Sequence, residues 1–229
     1  MIKAVLFDLD GTLFNRTESL RHFIKEQYRR WDHQITNVNM DQYMSDFLKF
    51  DENGYVHKES VYLQLIQKYN LTDELKLTLY NDYQEKFHDH CVAMDGMDEM
   101  FAYLKNKDIQ LGIITNGETV FQTKTIQALS LEDHFQTILI SENEGIRKPS
   151  EAIFTKCLHQ LKVSPKEAIY VGDHPENDIQ AAARIGFTTI WIENGCYDEP
   201  SIADFKVKDL SHVPMILEQI NRRNTVENE

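Results

Sequence analysis

The stretch VLFDLDGTLFN, residues 5–15, joins a short apolar run to two aspartates one residue apart, and a Gly-Thr turn follows at once. Val5, Leu6 and Phe7 suit a strand buried on both faces, as in a parallel sheet. Residues i and i+2 of a strand point to one face, so Asp8 and Asp10 share a side unless the turn at Gly11 redirects the second. Two carboxylates at close range disfavour joint ionisation unless a cation intervenes or one keeps its proton. Both remedies are chemically useful: a divalent metal can hold one carboxylate as a charged ligand while the other works as acid and base. The carboxyl ends of parallel strands are also where open α/β sheets place their ligands. Taken alone, the stretch also fits a plain strand-ending turn, because Asp and Gly are common turn residues.

Working outward, residues 2–7, 109–115, 168–172 and 187–192 are short and apolar, and residues 137–140 form a shorter run of the same kind. Helical patterns lie between them. Met97, Met100, Phe101 and Leu104 make one apolar stripe; Ile179, Ala182, Ala183 and Ile185 make another, opened by Pro175 and closed by Gly186. Strands alternating with helices predict an α/β fold with a doubly wound parallel sheet. Residues 17–90 break the alternation. Met40, Tyr43, Met44, Phe47 and Leu48 fall at helical spacing, as do Val61, Tyr62, Leu65, Ile66 and Tyr69, then Tyr80, Tyr83 and Phe87. This segment is expected to be a small helical domain inserted after the first strand, its stripes serving as core.

Three further stretches carry candidate chemistry. IITNG, residues 113–117, ends a strand with Thr115 and Asn116, which could hold phosphate oxygens near a helix N-terminus or simply cap that helix. GIRKPS, residues 145–150, offers Lys148 just before a proline, where a solvated charge is the plainer reading. VGDHPENDI, residues 171–179, ends another strand with Asp173 and adds Asp178 in the following helix, where it could also serve the helix dipole.

Composition narrows the partners. The 229 residues carry 24 Lys plus Arg against 37 Asp plus Glu, a formal net charge of −13. That balance argues against a nucleic-acid polymer or an anionic membrane surface, both of which select clustered cations. A small anion remains compatible, since a metal and a few local cations override the global field. Cys91, Cys157 and Cys196 form no C-x-x-C pair, the N-terminal apolar run is short for a signal peptide, and no stretch reaches 18 apolar residues. A cytoplasmic protein, monomeric or homodimeric, is expected. HDHC, residues 88–91, has zinc-like residue types but no second ligand pair at zinc spacing.

Taken in order, Asp8/Asp10, Thr115, Lys148 and Asp173 resemble the four motifs of the haloacid dehalogenase-like hydrolase superfamily, in its branch with a helical cap between the first and second motifs. The resemblance covers essentially the whole chain. It implies a Rossmann-like core over residues 1–15 and 92–229 and a mobile helical cap over 16–91, hinged near Phe14–Thr17 and Cys91–Asp95. It further implies a Mg²⁺-dependent phosphatase of small-molecule phosphate monoesters, similar to phosphoglycolate phosphatases. In that reading Asp8 is the nucleophile that forms an aspartyl-phosphate, and Asp10 is the acid and base. Thr115 and Lys148 hold and neutralise the phosphoryl group. Asp8, the Asp10 carbonyl and Asp173 hold Mg²⁺, with Asp178 beside them or as an alternative ligand. Asn116 and Arg16 are candidate substrate contacts.

A phosphomutase shares all four motifs. A haloacid dehalogenase shares the nucleophile but typically replaces the second aspartate, and a phosphonatase would need a desolvated cap lysine, which none of Lys25, Lys49 and Lys58 is marked to be. A non-catalytic binding protein on this fold would be expected to have lost at least one of these groups, and none is missing.

Overall fold

β1 (Ala4–Phe7) is fully buried along its length, as expected of a strand covered on both faces. A computed structural model describes residues 1–226 and divides the chain into two compact units, Met1–Asn15 with Ala93–Glu229 and Arg16–Val92.

In the second unit four helices follow one another: α1 (Arg16–Trp31), α2 (Met40–Asp51), α3 (Lys58–Tyr69) and α4 (Asp73–Lys86). The stripes read from sequence supply its core: Tyr43, Phe47, Val61, Tyr62, Leu65 and Tyr83 are buried, and Phe47 meets Tyr62 edge-on with ring centroids 5.3 Å apart. Asn39 caps α2 by accepting from the Gln42 amide. The turn after α2 runs through Glu52 and Asn53 at positive φ to Gly54, which is why the DENG stretch interrupts the helical periodicity. Two buried polar groups of this unit are multiply paired. Gln27 donates to the Leu79 carbonyl and to Asp82 and accepts from the Tyr62 hydroxyl. Asp51 takes both the Arg16 guanidinium and the Lys58 ammonium.

The first unit continues with α5 (Met97–Asn106), β2 (Gln110–Thr115), α6 (Thr119–Ala128), β3 (Thr137–Ile140), the single turn α7 (Ser141–Glu144), α8 (Glu151–Leu161), β4 (Ala168–Gly172), a π-helical segment (Pro175–Gln180), α9 (Ala181–Ile185), β5 (Thr188–Ile192), β6 (Phe205–Val207) and α10 (Val213–Val226). The strands form one parallel sheet in the order β3-β2-β1-β4-β5-β6. Chain order therefore reverses at β1, the topological switch point of a doubly wound sheet. Side chains alternate across it. Ala4 and Leu6 join Ile153, Phe154, Cys157 and Tyr170 in the core under α8 and α9. Phe7 faces the other way and meets Phe101 of α5 edge-on at 6.3 Å.

Two elements depart from the sequence reading. β6 was not anticipated: its three residues, FKV, centre on an exposed lysine and carry too little pattern to register. The helix expected from Pro175 to Gly186 begins as a π-helix, a form that clusters at functional sites. Among the described residues no helix is long and apolar enough to cross a membrane.

Candidate active site

Parallel pairing brings the carboxyl ends of β1, β2 and β4 together. Phe7 is in register with Ile113 and with Val171, and the Asp8 amide donates to the Val171 carbonyl at 2.9 Å. Asp8, Thr115 and Asp173 thus leave adjacent strands at one edge, and all three are buried. After Asp8 the chain turns at once: the amides of Thr12, Leu13 and Phe14 all donate to the Leu9 carbonyl, and Gly11 sits at φ +81°. Only glycine fits there. A Cβ on Gly11 would lie 2.3 Å from Asp173 Oδ2.

Lys148 is 3% exposed and its ammonium stands between two carboxylates, 2.5 Å from Asp8 Oδ1 and 2.6 Å from Asp178 Oδ1. The solvated lysine of the plainer reading is therefore a buried, doubly paired one. Burial alone would pull its proton affinity down, but Asp178 and Asp8 outweigh this and hold it above the ordinary lysine value. The Asp8 carboxyl is pushed up to about 7, first by burial and then by Asp178 and Asp10, with Lys148 opposing. Asp173 is raised well above the usual carboxylate range, by burial first and then by Asp8 and Asp178; the amide hydrogen bond from Asn194 and the charge of Lys148 oppose this.

Asp8, Asp173 and Asp178 each place a carboxylate oxygen within 4.8 Å of the others. Three buried carboxylates face a single buried ammonium, a charge imbalance that a small divalent cation with oxygen ligands would relieve. The three are not equivalent. Asp178 Oδ1 accepts from Lys148 and the Tyr170 hydroxyl, and Oδ2 accepts from the His174 amide at 3.0 Å, so both its oxygens already have donors. Asp173 Oδ2 accepts from Asn194 at 2.6 Å.

The remaining candidates separate. Asp10 Oδ2 accepts from Gln122 Nε2 at 2.6 Å, and this carboxylate is not one of the acidic trio. Thr115 Oγ1 lies 2.7 Å from the same nitrogen. The Asn116 side chain grips the backbone of Lys148, donating to its carbonyl at 3.0 Å and accepting from its amide at 2.9 Å. Arg16 lies in the helical unit, paired with Asp51. Gln122, Tyr170 and Asn194 were not singled out from sequence. Asn194 follows the end of β5, so the strand-end rule applied to that strand would have reached it. Gln122 lies in α6 just after the TNG turn and is buried like its neighbours Thr125 and Ile126. No local signal distinguishes it from a core-facing polar residue.

Residues 5–192 match the haloacid dehalogenase-like hydrolase family. A glyceraldehyde 3-phosphate phosphatase of Pyrococcus furiosus is 29% identical over 232 residues, covering 97% of this chain and 95% of its own. One from Pyrococcus abyssi is 32% identical over 212 residues, covering 85% and 83%. Among solved structures, the HAD-hydrolase YfnB of Bacillus subtilis, bound to magnesium, is similar with a TM-score of 0.75 at 21% identity, covering 94% of this chain and 98% of its own. The match over residues 5–192, with Asp8, Thr115, Lys148 and Asp173 inside it, establishes that the chain belongs to the haloacid dehalogenase-like hydrolase family.

Proposed function

We propose that Asp8 is the nucleophile of a Mg²⁺-dependent hydrolysis of small phosphate monoesters that passes through an aspartyl-phosphate. The enzyme is a phosphoric monoester hydrolase of its family, as its phosphatase relatives indicate. One observation carries the mechanism. At the switch point of the sheet a buried carboxylate, Asp8, is held against a buried lysine, with the Asp173 carboxylate and the Thr115 hydroxyl leaving the neighbouring strands.

In the first step an Asp8 oxygen attacks phosphorus, the bond from phosphorus to the ester oxygen breaks, and Asp10 gives its proton to that oxygen. In the second step water attacks phosphorus, Asp10 takes a proton from it, and the bond to Asp8 breaks. Inorganic phosphate leaves and both aspartates return to their starting states. Lys148 and the Thr115 hydroxyl stabilise the charge on the transferring group, the largest demand in phosphoryl transfer. The residues fit Mg²⁺: the Asp8 and Asp173 carboxylates and the Asp10 backbone carbonyl would hold it, as hard oxygen donors. When bound it supplies positive charge where nucleophile and phosphate would otherwise repel. Asp178, with both oxygens engaged, sets Lys148.

The substrate class is small phosphorylated metabolites, supported by relatives named as phosphatases of glyceraldehyde 3-phosphate and phosphoserine. The helical unit is assigned as the substrate-selecting cap, and Arg16 with it. A cytoplasmic setting is supported by three free cysteines.

The test is phosphate release from a panel of phosphorylated metabolites with Mg²⁺, with Asp8→Asn alongside. Release by the wild type and none by Asp8→Asn is the expected result. Isomerisation of a sugar phosphate without net phosphate release would overturn it in favour of a mutase, and wild-type rates in folded Asp8→Asn would remove Asp8 from the mechanism.

A further inference from the structure

The side chain of Gln122 is 2% exposed and reaches three oxygens with one nitrogen: Asp10 Oδ2 at 2.6 Å, Thr115 Oγ1 at 2.7 Å and the Asn116 carbonyl at 3.1 Å. A carboxylate and a carbonyl only accept hydrogen bonds, so the end facing them is the NH₂ group and the orientation of the amide is fixed. Its other end, Oε1, is buried with no hydrogen-bond partner. A buried acceptor left open costs stability, so local packing alone does not favour this arrangement.

The surroundings are shaped to admit this amide. The backbone at Gly117 has φ +153°, and a Cβ there would lie 3.0 Å from both Gln122 Cγ and Nε2. The Gln122 amide donates to the Glu118 carbonyl at 3.0 Å, which fixes the side chain's origin in the first turns of α6. The TNG turn thus brings the threonine and leaves room for the glutamine behind it.

We propose that Gln122 is the positioning residue of the phosphoryl-transfer site, holding the Asp10 carboxylate and setting the direction of the Thr115 hydroxyl hydrogen. The inference rests on the roles given to Asp10 and Thr115 above. Thr115 Oγ1 faces a donor, Nε2, and the amide's only acceptor, Oε1, receives nothing. Two N–H groups serve three oxygens, so the hydroxyl at most shares one of them; it cannot donate to Gln122, and its own hydrogen is left to point at a phosphoryl oxygen. The same amide keeps Asp10 where it can give a proton to the ester oxygen in the first step and take one from water in the second. A neutral donor does this without adding a charge beside the phosphate.

The test compares Gln122→Met, close in length but without N–H groups, with the wild type on an alkyl phosphate and on p-nitrophenyl phosphate in Mg²⁺. Nitrophenolate leaves without a proton, so the two esters separate the acid step from the rest. On the alkyl ester kcat is expected to fall about 10²-fold, the scale of a misplaced acid–base group. On p-nitrophenyl phosphate the first step survives while water attack slows. Rapid mixing should then show a burst of one nitrophenolate per enzyme that the wild type lacks and that Asp10→Asn shares. The inhibition constant for inorganic phosphate should rise as well. Should Gln122→Met not fold, Gln122→Leu, also neutral and without N–H groups, gives the same comparison. An equal loss on both esters with no burst, or no loss, would overturn the inference while leaving the phosphatase assignment standing. A wild type inactive on every ester would overturn both.

Discussion

Asp178 accepts from the Lys148 ammonium at 2.6 Å and is 1% exposed, so the lysine that meets Asp8 is held from behind by a second buried carboxylate. Tyr170 and the His174 amide complete the coordination of Asp178. Removing it leaves the buried ammonium with one carboxylate partner instead of two. Asp178→Ala is expected to cost roughly 3 kcal/mol of stability, as breaking a buried pair does. Denaturant unfolding measures this. Asp178→Asn keeps the shape and is expected to lose about 10²-fold in kcat, since Lys148 is no longer fixed against the phosphate. Wild-type kcat in Asp178→Asn would show that Asp8 alone places the lysine.

The raised carboxyls predict how metal and pH act together. Folded Asp8 titrates near 7 against an ordinary 3.8, and Asp173 is shifted in the same direction. A carboxyl raised by folding binds a proton that the unfolded chain has released, so metal-free stability falls as pH rises from about 4 through about 7. In the proposed site Mg²⁺ would bind the ionised form and remove that loss. The rise in Tm on adding Mg²⁺ is therefore expected to be larger at about pH 8 than at about pH 5.5, with proton release on binding between them. Thermal melts with and without Mg²⁺ across this range check the sign. A shift independent of pH would mean that Asp8 and Asp173 do not take the ion.

Gly11 ties the turn to the acidic group. At φ +81°, with its absent Cβ 2.3 Å from Asp173 Oδ2 and 2.7 Å from Asn194 Nδ2, it admits no side chain. Gly11→Ala is expected to displace Asp173 and so weaken Mg²⁺ binding by roughly 10–100-fold, the range for disturbing groups that orient a ligand. Isothermal titration with Mg²⁺ measures this without reference to turnover. Unchanged affinity would take Asp173 out of the metal site.

How far the sequence could be read depended on whether a residue's role is local. The parallel strands, the helical insertion and the strand-end residues Asp8, Thr115 and Asp173 follow from periodicity and from the ligand rule for open sheets. Roles set by distant contacts did not show. Gln122 is 112 residues from Asp10, and Tyr170 reads as one apolar residue in a buried strand until Asp178 meets its hydroxyl. β6 escaped because three residues with a central lysine have no period to detect. Asn116 shows the limit from the other side: its place after Thr115 was plain, but a cap, a phosphate contact and a clamp on another loop all use the same amide.

That ambiguity has a kinetic answer. The Asn116 amide spends its oxygen on the Lys148 N–H and a hydrogen on the Lys148 carbonyl, closing a two-bond clamp on the loop that carries the lysine. If its task is to hold Lys148, Asn116→Ala should lower kcat, because in the proposed mechanism the lysine acts on the charge that develops during transfer, and should leave KM nearly unchanged. A loss of about tenfold is expected, smaller than for Asp178→Asn, since the ammonium keeps both carboxylates. If Asn116 instead touches bound phosphate, KM should rise and kcat stay close to wild type. Steady-state kinetics on one good substrate separates the two, and Asn116→Asp sharpens the result by keeping the oxygen that accepts from Lys148 while removing the donor to its carbonyl. A clamp half retained should give a kcat between wild type and alanine. A phosphate contact turned into a carboxylate should repel the substrate and raise KM well beyond the alanine value.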